Sequence, residues 1–302
     1  MTITRLLCPT DLSQASGHAA ELAIVVAGYY QAGITALHVV SPILTLPGIA
    51  TPVQDVLIEE SEIQRLRRAV ATQFGAPGGD AIRLDVSIEM GQPTSRILDR
   101  AVSLAADLIV MGTHGASGFE HLVLGSVTEK VLRKASCPVL TVPPAAQATS
   151  RLPFRHVLCA IDFSDSSLAA LPLAVPLATE SDAALTLLHV LDWPWEEPPP
   201  PVIEELPFEQ GVALAEFRRY SEAGARKRLE SLIPDPLPTS RVTTRLGNGK
   251  PHSQILQIAA QEQTDLIVIG VHGRNPVDLA LFGSTTNQVV RRATCPVLTW
   301  RR

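Results

Sequence analysis

The segment at residues 107–128 reads DLIVMGTHGASGFEHLVLGSVT. Its first residues form an apolar run typical of a buried strand, its middle is rich in glycine, and a helical pattern follows Gly125-Ser126. Glycine lets the backbone approach a phosphate closely, and the N–H groups at a helix start point toward an anion placed there. The segment therefore predicts a strand, a phosphate-binding loop and a helix.

The same pattern recurs at residues 265–286, which read DLIVIGVHGRNPVDLALFGSTT. The repeat is wider than this segment, because Asp11 and Asp162 stand in similar surroundings at an offset of 162 − 11 = 151, and the glycine segments match at 265 − 107 = 158. We therefore predict two domains of one fold, at residues 1–145 and 152–302. A short spacer rich in Pro, Ala and Ser joins them.

Strand and helix patterns alternate within each copy. In the first copy, strands are predicted at residues 5–9, 34–40, 83–89, 108–111 and 139–142, helices at 14–29 (with Ser13 as N-cap), 57–74, 93–105 and 126–134, and a loop punctuated by Pro and Gly at 41–53. This alternation implies parallel βαβ units. The predicted fold class is α/β, with two tandem open doubly wound five-stranded parallel sheets, Rossmann-like, and helices on both faces. Ligands of such sheets bind beyond the carboxyl ends of the strands.

The composition is that of a globular protein, with 46% apolar and 18% charged residues. A net charge of −5 argues against nucleic acid as a partner. No secretory signal or long apolar run is visible, so we expect neither export nor a membrane span. The four cysteines lie in apolar, strand-like runs without metal-ligand spacing. They are interpreted as small buried hydrophobic residues of a cytoplasmic protein.

Both glycine segments follow the spacing Gly-x2-Gly-x9-Gly-Ser. A single glycine pair after a strand is also typical of an ordinary turn, but two copies with identical spacing favour an anion site. The hydroxyls of Ser126, Ser284, Thr128 and Thr286 are predicted to donate to phosphate oxygens beside the helix starts. An alternative is that the two serines are ordinary N-caps, and the two roles are compatible.

On these residues, the chain resembles the universal stress protein family in its tandem two-domain form. The resemblance covers residues 6–142 and 157–300. It is carried by the glycine spacing, the Asp closing strand one, the Leu-His-Val ending strand two and the Cys-Pro-Val-Leu in strand five. It implies a fold like that of the adenine nucleotide alpha hydrolases and an ATP site in each domain. Mg²⁺ would arrive on the phosphates, without a dedicated protein cage.

The resemblance also implies which residues surround the nucleotide. In the first copy, Pro9, Thr10, Asp11 and Val39 would hold the nucleoside, and Gly112, Thr113, His114, Gly115, Gly118, Gly125, Ser126, Val127 and Thr128 the ribose and phosphates. In the second copy, the corresponding residues are Ala160, Ile161, Asp162, Val190, Gly270, Val271, His272, Gly273, Gly283, Ser284, Thr285 and Thr286. The fifth strands, at residues 139–142 and 297–300, would pair across a homodimer or within one tandem chain.

The second copy departs from this pattern in its loop, where Arg274-Asn275-Pro276 replaces Ala116-Ser117-Gly118. Proline removes one backbone N–H. Arg274 either replaces it with a charge-assisted contact to phosphate or faces solvent. The second site is therefore predicted to differ from the first in affinity or in the number of phosphates it binds.

Other polar residues allow two interpretations. His114 and His272 either contact phosphate or ribose or bond to their own backbone. Asp11 and Asp162 either contact ribose or adenine or cap a helix. His38 and His189 are predicted to be core or rim histidines bonded to a carbonyl. The segment Trp193–Pro201 is a lid, a partner contact or a loop with packed tryptophans.

Regulation by bound ATP is the predicted function, and catalysis is not expected. Lys250 lies in Gly-Asn-Gly-Lys-Pro, which has neither the spacing nor the Ser/Thr of a Walker loop. No nucleophile–base pair stands out. The alternatives are a slow ATP hydrolase and a nucleotide-free interaction scaffold.

Overall fold

The computed structural model describes residues 2–41, 43–46, 49–52, 59–75, 82–113, 124–144, 146, 152–192, 208–233, 241–271 and 283–301. The first half contains β1 (Arg5–Thr10), α1 (Gln14–Tyr30), β2 (Gly33–Val40), β3 (Ile43–Leu46), β4 (Ile49–Pro52), α2 (Glu60–Gln73), β5 (Leu84–Met90), α3 (Pro93–Ser103), β6 (Leu108–Gly112), α4 (Ser126–Lys134) and β7 (Val139–Val142). The second half contains β8 (His156–Ala160), α5 (Asp165–Glu180), β9 (Ala184–Leu191), α6 (Phe208–Glu230), β10 (Val242–Asn248), α7 (Pro251–Gln261), β11 (Leu266–Gly270), α8 (Ser284–Arg292) and β12 (Val297–Trp300).

The two halves have the same strand order. It runs β5-β2-β1-β6-β7 in the first and β10-β9-β8-β11-β12 in the second, and all pairs within these two five-strand orders are parallel. The predicted doubly wound α/β class is thus confirmed. The two sheets join because β7 and β12 pair antiparallel, with Leu140 opposite Leu298, into one ten-stranded sheet. Of the two pairings considered for the fifth strands, the structure contains the one within the chain.

The inner strands of the ten-stranded sheet supply side chains to two cores, one on each face of the sheet. Leu6 and Cys8 pack on the face covered by α1, α2, α5 and α6, whereas Leu7 packs on the face covered by α3, α4, α7 and α8. Burial on both faces explains why the central strands are uninterrupted apolar runs. All four cysteines are buried and free, as predicted, and burial raises the pKa of Cys137 to about 11.

Two local predictions were wrong. Residues 41–53 contain the antiparallel hairpin β3–β4 instead of a continuous loop. In the sequence, Pro and Gly separate two short β-prone segments. This pattern is typical of a hairpin, and it was interpreted as a loop. The helix predicted to end at Ala105 ends at Ser103, because Ala105 has a φ of 45° and cannot continue a right-handed helix.

Asp107 and Asp265, which open the two repeated segments, anchor the first strand of each half. Asp107 Oδ2 accepts hydrogen bonds from the backbone N–H groups of Thr4 and Arg5, both at 2.9 Å. Partial burial alone would raise the pKa of Asp107, but these hydrogen bonds and the Arg5 charge outweigh it and lower that pKa. Asp265 Oδ2 accepts from the N–H groups of Arg155 and His156 in the same way.

The junction between the halves is apolar in its middle and polar at one side. Leu108, Leu140, Leu266 and Leu298 line an apolar cavity on the α1 and α5 face, together with Ile3, Val26, Tyr30, Leu152, Phe154 and Leu177. Beside it, Tyr29 Oη donates to the Glu180 carbonyl at 2.6 Å and Tyr30 Oη to Glu180 Oε2 at 2.8 Å. None of the helices in the described ranges has both the length and the apolar character to cross a bilayer.

Candidate functional site

The predicted site residues that the structure describes lie, in each half, at the switch in strand order. β1 and β6 are parallel neighbours, so Asp11, which follows β1, and Gly112, which ends β6, lie at the same edge of the sheet. The helix α4 begins at this edge as well, since Gly125 N–H donates to the Thr113 carbonyl, which directly follows β6. The segment Trp193–Pro201 and six of the predicted site residues lie outside the described ranges, and their roles stay predictions: His114, Gly115, Gly118, His272, Gly273 and Arg274.

A hydrogen-bonded turn connects the end of β1 to α1. Ser13 is the N-cap, as predicted, and its hydroxyl accepts from the Ser16 N–H at 3.2 Å. Asp11 does not cap the helix itself. Its Oδ1 accepts from the backbone N–H of Ser13 at 3.0 Å and from the hydroxyl of Ser13 at 2.5 Å. Leu12 lies between them in the left-handed region, with a φ of 63°.

The second half repeats this turn closely. Ser164 caps α5, Asp162 Oδ1 accepts from the N–H and hydroxyl of Ser164, and Phe163 has the same φ of 63°. A non-glycine residue at positive φ is uncommon and carries strain. Its presence in both copies indicates that the geometry of this turn is specified. Asp11 is exposed at the edge, so the predicted contact with ribose or adenine is sterically open and stays a prediction.

The ends of each glycine segment are held together by two hydrogen bonds. Besides the bond from Gly125 N–H to the Thr113 carbonyl at 2.9 Å, the Thr128 hydroxyl donates to the Gly112 carbonyl at 2.9 Å. In the second half, Gly283 N–H reaches the Val271 carbonyl at 3.1 Å and the Thr286 hydroxyl the Gly270 carbonyl at 2.7 Å. Each pair of bonds fixes the start of a helix to the end of a strand.

These bonds correct the predicted role of the two threonines. Thr128 and Thr286 are 4% and 3% exposed, and each hydroxyl has one proton, which it gives to a carbonyl. Their hydroxyls therefore do not donate to phosphate in this arrangement. What they can offer an anion is their backbone N–H.

The starts of α4 and α8 carry no side-chain cap. The N-cap residues are Gly125 and Gly283, so the alternative that Ser126 and Ser284 are N-caps is wrong; both serines are first helical residues and exposed. The first intrahelical N–H bond of α4 is made by Glu129, to the Gly125 carbonyl at 2.9 Å. The three preceding N–H groups have no intrahelical acceptor, which makes the helix start a favourable place for an anion.

The histidines of the second strands have the predicted role. His38 Nδ1 lies 2.8 Å from the Thr10 carbonyl, and His189 Nδ1 lies 2.7 Å from the Ile161 carbonyl. A carbonyl oxygen only accepts, so Nδ1 carries a proton in both rings. The bonds tie the end of each second strand to the residue that precedes the site aspartate, and they leave Val39 and Val190 half-buried beside it.

Gly270 has a packing role that sequence reasoning missed. A Cβ atom at this position would lie 2.6 Å from Ser166 Oγ and 2.7 and 2.8 Å from the carbonyl carbon and oxygen of Ser166. The glycine therefore allows the first turn of α5 to approach the end of β11. The sequence shows a glycine at this position, but it does not show which element packs against it, because that depends on the tertiary structure.

The two halves also differ in a contact that the sequence did not reveal. In the first half, the Gln73 side chain bonds to the Thr10 hydroxyl and, through Nε2, to the Ser13 carbonyl at 3.0 Å. In the second half, the Arg228 guanidinium lies over the Phe163 ring, with Cζ 3.9 Å from the ring centroid. The polar network of one edge is thus replaced by a cation on an aromatic ring at the other.

We expect Thr128→Val to destabilise the first half by about 1–2 kcal/mol, because it leaves the buried Gly112 carbonyl without its hydroxyl donor. Urea unfolding followed by circular dichroism measures this as a lower midpoint. Ser126→Ala, two residues away and exposed, should shift the midpoint by less than about 0.5 kcal/mol. Equal midpoints for Thr128→Val and the unmodified chain would contradict the structural role given to this hydroxyl.

The fold and the helix starts define an open doubly wound α/β protein with an uncapped helix start at the carboxyl edge of each half. The family model described as the universal stress protein family matches residues 2–143 and 153–301. The chain therefore belongs to the universal stress protein family and carries two tandem domains of it.

Individual relatives agree with this assignment. A universal stress protein of Mycolicibacterium smegmatis is 30% identical over 304 residues, which cover 98% of this chain and 96% of the relative. One from Mycobacterium tuberculosis is 28% identical over 274 residues, covering 89% and 87%. The crystal structure of a universal stress protein from Archaeoglobus fulgidus superposes with a TM-score of 0.67 over 100% of both chains, at 23% identity, which supports the fold.

Proposed function

We propose that this universal stress protein is a cytoplasmic regulatory module of the stress response that binds ATP, with one adenine nucleotide site at the carboxyl edge of each half. The proposal depends on the uncapped starts of α4 and α8. In each half, the same two hydrogen bonds join the start of this helix to the end of the preceding strand. Two matched anion-accepting helix starts at the switch in strand order support a ligand with phosphates.

In this proposal, the backbone N–H groups of residues 126–128 and 284–286 bind the phosphates, and the exposed hydroxyls of Ser126 and Ser284 add a donor each. Asp11 and Asp162 accept from ribose or adenine with the carboxylate oxygens that the turn orients. Mg²⁺ would be carried by the phosphates; within the described residues, no group of three or more His, Cys, Asp and Glu side chains is arranged to hold a metal.

Binding without turnover is the proposed mode of action. The sequence has no Walker loop, so nothing supplies the lysine that such loops place on the transferred phosphates. A bound nucleotide would then act by stabilising one state of the protein, since a ligand that binds only the folded state raises its stability. The effector would be the level of ATP itself.

The proposal is tested by identifying nucleotide released from the purified protein on denaturation, and by calorimetric titration of the stripped protein with ATP and Mg²⁺. We expect bound adenine nucleotide, or binding to two sites. No released nucleotide and no heat of binding at millimolar ATP would overturn the proposal. Release of phosphate from bound ATP at a steady rate would contradict binding without turnover.

Each site should be removable separately. Gly115→Val is expected to prevent the backbone from approaching the phosphates of the first site, and Gly273→Val those of the second. Calorimetry should then show one site in either variant and none in the double variant, with unchanged far-ultraviolet circular dichroism. Loss of the folded spectrum in a single variant would make that glycine a folding residue and contradict its assignment to the site.

A further inference from the structure

The helix α4 starts at the ligand edge of the first half and ends beside that of the second. A helix that connects two parallel strands runs back across the sheet, so the end of α4 lies near the start of β7. Because β7 and β12 are antiparallel, with Val139 opposite Thr299, the start of β7 lies beside the end of β12. The end of β12 belongs to the carboxyl edge of the second half, so α4 reaches from one edge to the other.

A hydrogen bond joins the end of α4 to the residue that follows β12. Arg301 Nη1 donates to the Arg133 carbonyl at 2.5 Å, although the two residues are 168 positions apart in the chain. Arg133 lies in the last turn of α4, where the carbonyl groups carry the partial negative charge of the helix dipole. Arg301 is half-buried, and this bond places its guanidinium on the face of the sheet on which both α4 and α8 pack.

The backbone beside Arg301 is also connected to the start of α8. Arg301 directly follows Trp300, whose carbonyl accepts from the Val271 N–H at 3.0 Å. The Val271 carbonyl in turn accepts at 3.1 Å from the N–H of Gly283, which is the N-cap of α8. Two hydrogen bonds through Val271 thus link the end of β12 to the helix start at which the second nucleotide is proposed to bind.

The first half has the same backbone bonds but lacks the arginine. Thr113 N–H donates to the Val142 carbonyl at the end of β7, and the Thr113 carbonyl accepts from Gly125 N–H. At the repeat offset of 158, Arg301 corresponds to Pro143, because 301 − 158 = 143. Proline has no side-chain donor, so Pro143 cannot make the matching bond to the end of α8. The tie between a ligand edge and the opposite helix is therefore specific to Arg301.

Between the two edges, reciprocal side-chain bonds fasten β7 to β12. The Thr141 hydroxyl donates to the Val297 carbonyl at 3.1 Å, and the Thr299 hydroxyl donates to the Val139 carbonyl at 3.2 Å. Both threonines are buried, so these bonds hold the register of the junction. The bond of Arg301 lies at the margin of the junction, where rotation of one side chain can break it. It can therefore have two states, formed and broken.

An anion at the start of α4 favours the formed state. Hydrogen bonds in a chain polarise one another, so a phosphate at the positive end of the helix dipole makes the carbonyls at the other end better acceptors. The Arg133 carbonyl then binds Arg301 more strongly, which orders the end of β12 and, through Val271, the start of α8. A ligand that binds to a site already ordered loses less conformational entropy.

We propose, on the basis of the nucleotide sites proposed above, that Arg301 couples these sites, so that each nucleotide binds more tightly when the other is bound. The coupling is reciprocal, because a ligand that strengthens the binding of another is strengthened by the same factor. Repulsion between the bound phosphates does not oppose it. The nine residues of α4 span about 14 Å, which exceeds the Debye length of about 8 Å at physiological salt.

The coupling is measured by calorimetric titration of three chains with ATP and Mg²⁺. The unmodified chain gives the product of its two association constants, Gly273→Val gives the constant of the first site alone, and Gly115→Val gives that of the second. The coupling factor is the product from the unmodified chain divided by the product of the two single-site constants. We expect a factor of at least about five, the low end for coupled sites.

Three substitutions assign the coupling to the arginine. Arg301→Gln, introduced into all three chains, should abolish the coupling and leave the two single-site constants nearly unchanged. Arg301→Lys keeps a cationic donor and should retain part of the coupling. Arg292→Gln removes the same charge from an exposed position in the last turn of α8, and it should leave the coupling factor intact.

Amide hydrogen exchange follows the coupling without a second ligand. In Gly273→Val, ATP fills the first site only, and it should slow exchange of the Val271 N–H, which bonds to the Trp300 carbonyl. The same titration of Gly273→Val with Arg301→Gln should leave this exchange rate unchanged. A change in overall stability would alter the exchange rate of this amide with and without ATP alike, so the difference between the two conditions reports the coupling.

Each alternative outcome decides against the inference in a different way. Two independent sites, or a second nucleotide that binds more weakly, would overturn the coupling and leave the ATP proposal standing. A coupling factor that survives Arg301→Gln would overturn the role of Arg301, because the sites would then communicate by another route. Failure of every chain to bind nucleotide would overturn the proposed function together with this inference.

Discussion

Leu140→Asp is expected to destabilise the protein by about 3–5 kcal/mol and to separate its two halves. Leu140 is 3% exposed and faces Leu298 where β7 and β12 pair. The neighbouring cavity is lined by apolar residues, so a carboxylate there has no partner and its charge is uncompensated. A lower urea midpoint and a larger radius of gyration in small-angle X-ray scattering would show both effects.

Two controls separate charge from volume and from position. Leu140→Met keeps the volume and should cost less than about 1.5 kcal/mol. Val102→Asp introduces the same carboxylate on α3 at a side chain that is 66% exposed, and it should be nearly neutral. If Leu140→Asp left both the unfolding midpoint and the radius of gyration unchanged, the pairing of β7 with β12 could not be the main connection between the halves.

Gly270→Ala should destabilise the second half by about 1–3 kcal/mol, although it adds a single methyl group. The new Cβ would lie 2.7 and 2.8 Å from backbone atoms of Ser166, so α5 or β11 must shift. Because the shifted turn also carries Ser164 and Asp162, the nucleotide binding proposed for the second site should weaken together with the stability. Urea unfolding and calorimetry on the same sample measure the two effects.

Gly224→Ala is the matched control for this change. Gly224 lies on α6, is exposed, and a Cβ there would meet nothing within 4 Å. Alanine is favoured over glycine inside a helix by roughly 0.5–1 kcal/mol, so this substitution should stabilise slightly. An equally small effect of Gly270→Ala would show that the contact with Ser166 relaxes at low cost.

Local chemistry explains which features could be predicted from the sequence. The strands were recognisable because burial on both faces requires continuous apolar runs, and Ser13 was recognisable as a cap because it precedes a helical pattern. The internal repeat assigned Asp11 and Asp162 to equivalent places after the first strand of each copy, and parallel strands put such residues at the ligand edge. These predictions depend on residues close together in the chain or on comparison of the two copies.

The features that were missed depend on contacts between distant residues. The Thr128 hydroxyl was expected to face a phosphate, but its acceptor is the Gly112 carbonyl, 16 residues away. The contact of Gly270 with Ser166 and that of Arg228 with Phe163 join different elements. The local sequence around each of these residues does not identify its contact partner, because the partner is determined by the tertiary packing.

Because the two halves belong to one chain, the residues at their junction need not be related by symmetry. Tyr29 and Glu180 are related by the repeat, since 180 − 29 = 151, and they meet at the junction, where the Glu180 carbonyl accepts from Tyr29 and its carboxylate accepts from Tyr30. Between two identical copies related by a twofold axis, that place would bring a residue against itself, tyrosine against tyrosine or glutamate against glutamate. A tandem chain can pair unlike residues there. Each half can therefore acquire substitutions independently of the other. Two unequal ligand sites can evolve in such a tandem chain but not in a homodimer of identical copies.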